Sequence, residues 1–358
     1  MSFLKAFLTI SIITSATIFS AVTAQSTSKI SPYGDIRMIY SGLSTDAHGL
    51  GGRAPFLRIR AGLNFDINTN HSFAARMAYT VSRDVNSPDF SLTANRGLAP
   101  DTFSFDEFYY KYQDEKQQLK LGRFQKSFSL PTATGNSITR YQSSSTSIHW
   151  SDGLFYQRAL NEGWYSELVL EYQKRGELTF SYKPPLNFGK NEHNFMGYLG
   201  VINKQRDQYN IIEKGFALMW APDAFFHNGE YTSYLSISSS IVFDFPKKEL
   251  LNDGSFRVTG ELGQNLTTKF SDGSVLSTSF GVYDVDNRHT LMVELSKNDR
   301  DWLTAPYPTN SDVFELRYSL SITSKLKMDA RYQIRSSRNA GIDNNYSSFI
   351  RATYVFGK

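Results

Sequence analysis

The chain has 358 residues, with 38 Lys and Arg against 34 Asp and Glu, six histidines and no cysteine. The missing thiol excludes zinc–thiolate, iron–sulfur and cysteine-nucleophile chemistry, and a formal charge of +4 leaves no nucleic-acid footprint. Aromatic residues reach 15%, yet mean hydropathy is −0.38, so the apolar side chains are spread along the chain rather than gathered into long runs.

In chain order, the first signal is an address. Lys5 precedes an apolar run from Ala6 to Phe19, and Val22-Thr23-Ala24 places small residues where cleavage is decided. The run is shorter than the ~20 residues a membrane helix needs. Residues 1–24 therefore read as a cleaved signal peptide and 25–358 as the exported protein, whose charge falls to +3 with the loss of Lys5.

The exported part alternates. In FLRIRAGLNF (56–65), Leu57, Ile59, Ala61, Leu63 and Phe65 interleave with Arg58, Arg60, Gly62 and Asn64. On a strand those two sets face opposite sides of a sheet. The pattern returns in 72–81, with Phe73, Ala75, Met77, Tyr79 and Val81 opposite Arg76. In 105–112, Phe108, Tyr110 and Tyr112 oppose Glu107, Tyr109 and Lys111. It is clearest near the end, where Leu326, Met328, Ala330, Tyr332 and Ile334 oppose Lys327, Asp329, Arg331, Gln333 and Arg335.

A soluble sandwich also alternates, but its strands are usually ~5–6 residues, whereas a membrane barrel needs ~9–11. These segments run long, and Tyr40, Phe65, Tyr112, Tyr172, Phe243 and Phe356 fall at their ends, as interfacial aromatic girdles would. Tight turns also alternate with long loops: 68–70 with 84–102, 114–116 with 124–142, and 174–176 with 183–193. The predicted fold is all-β, a transmembrane antiparallel β-barrel of 16–18 strands.

Eighteen candidate strands lie near 33–41, 56–66, 71–83, 103–113, 117–123, 143–150, 153–160, 164–173 and 177–183, and near 194–202, 212–220, 232–244, 255–264, 274–284, 288–297, 312–322, 325–335 and 346–356. The weak point is 143–160, where one bent strand in place of two is also compatible with the pattern, and sixteen stands beside eighteen as the alternative count.

The order of Tyr33-Gly34-Asp35-Ile36-Arg37, Leu57-Arg58-Ile59-Arg60-Ala61-Gly62, Phe73-Ala74-Ala75-Arg76-Met77-Ala78, Phe105-Asp106-Glu107-Phe108-Tyr109-Tyr110 and Leu119-Lys120-Leu121-Gly122-Arg123 resembles Gram-negative outer-membrane porins, in particular a loosely defined porin group and its phosphate-selective relatives. The specific part spans about 33–124, and beyond it only the pattern is shared. The terminal strand from Ile350 to Phe356 is similar to the assembly signal of such barrels, although Gly357-Lys358 follow the aromatic that usually ends them. The resemblance implies a homotrimeric channel in the bacterial outer membrane, with an inward loop after the fifth strand. Here that loop is 124–142, carrying Lys126 and Arg140.

The polar faces then line water. Arg37, Arg58, Arg60, Arg76, Glu107, Lys111 and Arg123 are the expected pore-lining residues, and Asp35, Asp106 and Glu261 are expected to face inward as well. Arginines from three neighbouring strands make one basic patch, which attracts anions. Alternatively these charges pair with each other and only hydrate the lumen. The expected function is passive diffusion of small hydrophilic solutes with a mild anion preference. A channel specific for phosphate or an organic acid is the alternative, and a plugged scaffold or adhesin stands further off. Lipid and lipopolysaccharide would surround the wall.

His149-Trp150-Ser151-Asp152-Gly153 resembles the His-x-Ser-Asn-Gly of outer-membrane phospholipase A, with Asp152 in the asparagine place. Strand parity puts it in a periplasmic turn, away from the outer leaflet where such an enzyme works. No catalytic residue, cofactor or metal site is assigned, and the histidines lack ligand spacing.

Overall fold

The computed structural model describes residues 29–45, 49–81, 89–90, 102–125, 130–133, 150–174, 193–227, 230–246, 254–267, 273–299, 302, 310–338 and 344–357. The signal peptide read over 1–24 lies outside them. The strands are β1 Lys29–Thr45, β2 Gly49–Asp66, β3 His71–Val81, β4 Asp89–Phe90, β5 Thr102–Gln113, β6 Gln117–Phe124, β7 Ser151–Ala159, β8 Trp164–Lys174 and β9 His193–Asn203. They continue with β10 Ile211–His227, β11 Glu230–Pro246, β12 Ser255–Asn265, β13 Ser274–Val285, β14 His289–Asn298, β15 Ser311–Ser321, β16 Leu326–Ser337 and β17 Asn345–Phe356.

The two-residue β4 lies parallel on β5, so sixteen of the seventeen strands make the wall among the described residues. Each of these pairs antiparallel with its chain neighbour, and β1 closes on β17 from Gly34↔Phe356 to Thr45↔Asn345. Closure leaves no strand edge, the condition for sheet backbone to sit in hydrocarbon.

Two expected strands have no place in this wall. Residues 143–149 and 177–183 lie outside the described residues, while β6 pairs directly with β7 and β8 with β9. The single strand β7 replaces the pair expected over 143–160. Because that removes one crossing, the parity of the following stretch inverts. The turn expected at 174–176 runs into residues outside the described ones; β8 pairs with β9 as far as Lys174↔His193 at the long-loop end, and the tight turn that is described lies at 160–163. Trp150 to Gly153 likewise stand at the long-loop end, not in a periplasmic turn.

Side-chain burial is inverted relative to a soluble protein. Met38 is 65% exposed and Phe108 63%, while Arg58 is 0% exposed and Arg60 5%. Leu63, Phe73, Leu199, Phe216, Leu262 and Ile350 are exposed around the wall, and Asp35, Arg76, Glu167, Glu261, Glu294, Glu315 and Asp329 are buried inside it. An apolar girdle around a polar interior is the arrangement of a barrel that spans a membrane. Eleven-residue strands such as β3, rising ~3.3 Å per residue and tilted ~40°, cross about 28 Å, close to the thickness of the hydrocarbon band.

The short turns are built locally. Asn68 Oδ1 accepts hydrogen bonds from the Asn70 and His71 amides at 2.9 and 3.0 Å. Asp207 Oδ1 accepts from the Tyr209 and Ile211 amides, and Thr323 Oγ1 from those of Lys325 and Leu326. Such side chains replace the next residues of a strand ladder and end it. At Glu162-Gly163 and Asp286-Asn287 both central residues have positive φ, as a type I′ hairpin turn requires.

Asp114 accepts from the Lys116 and Gln117 amides at 2.8 Å and from the Tyr112 hydroxyl, and these bonds, that of Lys116 foremost, lower its pKa to about 2. A depressed carboxyl stabilises the fold above its unfolded pKa and loses that contribution as pH falls through the folded one. The urea midpoint of the wild type should therefore drop between pH ~4 and ~2 by more than that of Asp114→Ala. Parallel curves would remove Asp114 from turn stability.

Leu199 faces outward in a row with Leu168 and Leu218 on the adjoining strands. Leu199→Arg should cost about 2–4 kcal/mol in refolding into lipid vesicles, the scale for a cation near the bilayer midplane. A change within error would contradict the outward assignment.

Candidate functional site

The inward side chains of β1, β2, β3 and β5 form a connected ionic lattice. Arg60 binds Asp35 through Nε at 2.6 Å and through Nη2. Arg37 Nε lies 3.0 Å from the other oxygen of Asp35. Arg76 forks onto Asp106 at 3.0 and 2.8 Å, reaches Glu107 at 3.1 Å, and lies over the Tyr33 ring. The Tyr33 hydroxyl donates to Glu107 at 2.7 Å. Arg58 is wholly buried between Arg37 and Thr80 in register.

Two adjacent carboxylates serving one arginine would be impossible on a regular strand, where neighbours face opposite ways. A register shift resolves it: Arg76 pairs with Glu107 and Met77 with Phe105, which leaves Asp106 as the extra residue of a bulge. Bulges of this kind re-aim side chains.

The expected pore-lining residues divide between this lattice and other places. Arg37, Arg58, Arg60, Arg76 and Glu107 meet on one sector of the inner wall. Lys111 also faces inward but sits lower, near Asp66 and Asp114 at the short-turn rim. Arg123 lies apart from the lattice, bound to Asp152 at 2.7 Å, donating to the Phe105 carbonyl and stacked 4.5 Å from the Trp150 ring. Lys126 and Arg140 lie outside the described residues.

Closure adds what linear reading missed. The inward face of β15–β17 carries Arg317, Lys327, Arg331 and Arg351 beside Glu315 and Asp329. Because β17 adjoins β1, these continue the arginine sector without a break. Their alternation was visible in the sequence, and the missing signal was that the last strand returns to the first. On β14, Glu294 stands in register with Glu315 at the border of this sector; farther round the wall, Glu167 and Glu171 on β8 are buried, as is Glu261 on β12 between Ser240 and Ser277.

A second missed feature is apolar. Phe155, Val169, Met196, Tyr198, Ile202, Ala217, Met219 and Tyr234 face inward and pack with Phe124 and Leu130. The signal was a strand apolar on both faces, Phe216-Ala217-Leu218-Met219-Trp220-Ala221. Leu130 belongs to the segment after β6, and the route of that segment is fixed at two points. Gln125 accepts a hydrogen bond from Arg60 on β2 at 2.7 Å, and the Ala133 amide donates to Thr259 on β12 at 2.8 Å. Residues 125 and 130–133 thus reach from one wall to another across the interior.

Ser151 Oγ donates to Glu171 at 2.7 Å and is buried, with Gly153 and Glu171 in register on the inward side. His149 lies outside the described residues. The serine therefore does not stand on the lipid-facing wall.

A closed sixteen-strand barrel, apolar outside, ionic inside and crossed by the segment after its fifth long strand, has the fold of the bacterial outer-membrane porins. The solved structures similar to it agree. Pseudomonas putida OprB aligns over 91% of this chain and 94% of its own, with a TM-score of 0.61 and 11% identity. An anion-selective porin from Comamonas acidovorans aligns over 92% and 100% (TM-score 0.55, 10% identity), and the Pseudomonas aeruginosa outer-membrane protein OpdK over 92% and 98% (TM-score 0.54, 10% identity). No protein-family model and no curated protein matches the sequence.

Removing one member of a buried ion pair costs about 3–5 kcal/mol, because the partner charge is left in a poor solvent. Arg76→Met should lower unfolding stability in detergent by that amount. Adding Asp106→Asn and Glu107→Gln should recover part of the loss. A triple variant no more stable than the single one would show that the lattice is not coupled.

Proposed function

We propose that the protein is a passive channel of a bacterial outer membrane, admitting small hydrophilic solutes with a mild preference for anions. The observation that carries this reading is the asymmetry of the inner wall. From β15 through β17 to β5, Arg317, Lys327, Arg331, Arg351, Arg37, Arg58, Arg60 and Arg76 stand against Glu315, Asp329, Asp35, Asp106 and Glu107. Pairing moderates the field without cancelling it, and a lumen with fixed positive excess on one side concentrates anions there. The description of one similar structure as an anion-selective porin is consistent with this.

Gln125 and residues 130–133, with Leu130 seated on the inner apolar cluster, are read as part of the narrowing of the pore, and Lys126 and Arg140 are proposed to belong to the same constriction. Seven short turns and both ends of the sheet then face the periplasm, and the long loops face outside. No covalent step enters this function: solute passes by diffusion through a width set by the inward segment and a potential set by the wall. In the same proposal the protein assembles as a trimer, with lipid and lipopolysaccharide against the exposed parts of the girdle.

Planar-bilayer recording under a salt gradient tests the central claim. Two unit charges ~10 Å apart in water interact by ~0.4 kcal/mol, and a fixed charge acts oppositely on anion and cation. Each arginine removed should then lower the anion-over-cation permeability ratio by up to about fourfold, less where salt screens it. Arg58→Ala with Arg60→Ala should shift the reversal potential toward cations, and an unchanged potential overturns the assignment. Native electrophoresis of the same preparation reads the assembly, and a monomer band alone removes the trimer.

A further inference from the structure

We infer that the short-turn mouth holds a binding cleft for small multivalent anions, with Arg37, Lys327 and Arg351 on its wall and Arg288 and Lys325 at its rim. The cleft has a volume of about 600 Å³, within the ~300–1,000 Å³ range of small-molecule sites. It lies between the turn after β13, the turn after β15 and the inner faces of β16, β17 and β1. It is therefore at the opposite end of the barrel from the long loops.

The chemistry of the lining is one-sided. Asp329 is the one carboxylate among the lining residues, and it is already shared. Arg351 donates to it at 2.8 Å, Ser319 at 2.7 Å, and Lys327 stands 3.4 Å away. Arg37 leans on Asp35, which also serves Arg60. Each acid thus answers two cations. Arg288 and Lys325 are exposed on turns and make no ion pair among the described residues. The rest of the lining supplies neutral polar groups from Asn287, Ser321, Thr323, Ser324 and Thr353.

A halide in such a space would leave most of the positive charge unanswered. An anion with two or more charges, spread over several oxygens, answers wall and rim cations together, since guanidinium and ammonium groups both favour phosphate and carboxylate oxygens. Lys325 and Arg288 stand on turns that need no charge for their own geometry: the Thr323 hydroxyl and the positive φ of Asp286 and Asn287 already supply it. The cleft rests on the channel reading for how solute reaches it, and not for its ability to bind.

Equilibrium dialysis of the full chain in detergent, with labelled inorganic pyrophosphate and in parallel citrate, tests it directly. Both anions should bind in competition with each other. The double variant Arg288→Gln, Lys325→Gln should weaken both by about tenfold, and Lys116→Gln, on a different turn at the same end, should not. Binding of only one anion would assign the cleft to phosphoryl or to carboxylate groups. No binding at millimolar anion, an unaffected double variant, or equal weakening by Lys116→Gln each overturns the cleft. In a bilayer, pyrophosphate should obstruct potassium chloride current when added on the short-turn side and not on the other. A protein that binds the anions yet passes no current would refute the channel while leaving the cleft.

Discussion

Everything in this molecule follows from the absence of water in the hydrocarbon layer. A backbone amide without a partner there costs several kcal/mol, so a sheet that crosses the layer must have no edge. The pairing of β1 with β17 meets that demand, and its register fixes the rest. Once the ring is closed, each strand has one face toward lipid and one toward the interior. The sequence must then be read in two colours, and Met38 and Arg37 illustrate how adjacent residues take opposite fates.

The interior is not uniform, and its two materials have separate roles. One sector is ionic, and its arginines are bound by carboxylates in a lattice whose geometry depends on a single bulged residue, Asp106. The other is apolar and receives the segment after β6. A buried arginine is tolerable only when oxygens surround it, which is why acids accompany the cations along the sector. The surplus that remains after pairing is what the proposed selectivity rests on.

Much of this was legible before any coordinates. The outward row Leu57, Ile59, Leu63 and the inward pair Arg58 and Arg60 stand as alternation alone implied, because period-two patterning is a direct consequence of strand geometry. Side chains of Asn68, Asp114, Asp207 and Thr323 make the turns that follow β2, β5, β9 and β15, so the strand limits at those turns were readable within a few residues. Two segments read as strands, 143–150 and 177–183, have no place between the paired strands β6 and β7 or β8 and β9, since alternation marks the faces of a segment but not its partner. The site was half legible. The arginines of β2 and β3 were visible as a patch, but Arg351 beside Arg37 required knowing that the ring closes, and the inward Met219 and Val169 required knowing which face of an apolar strand meets a loop.

The inward segment has a consequence of its own. Its fixings are Leu130 among Phe155, Met196 and Ile202, an amide on Thr259, and a side-chain amide on Arg60. None of these is a bond between two opposite charges. Dissolved salt attenuates the attraction between ions across the lumen, but has little hold on greasy contact or on short dipolar bonds. In the proposed channel, aperture and electrical preference are thereby decoupled: a cell moving from fresh to saline surroundings would keep the same sieve while the discrimination by charge fades.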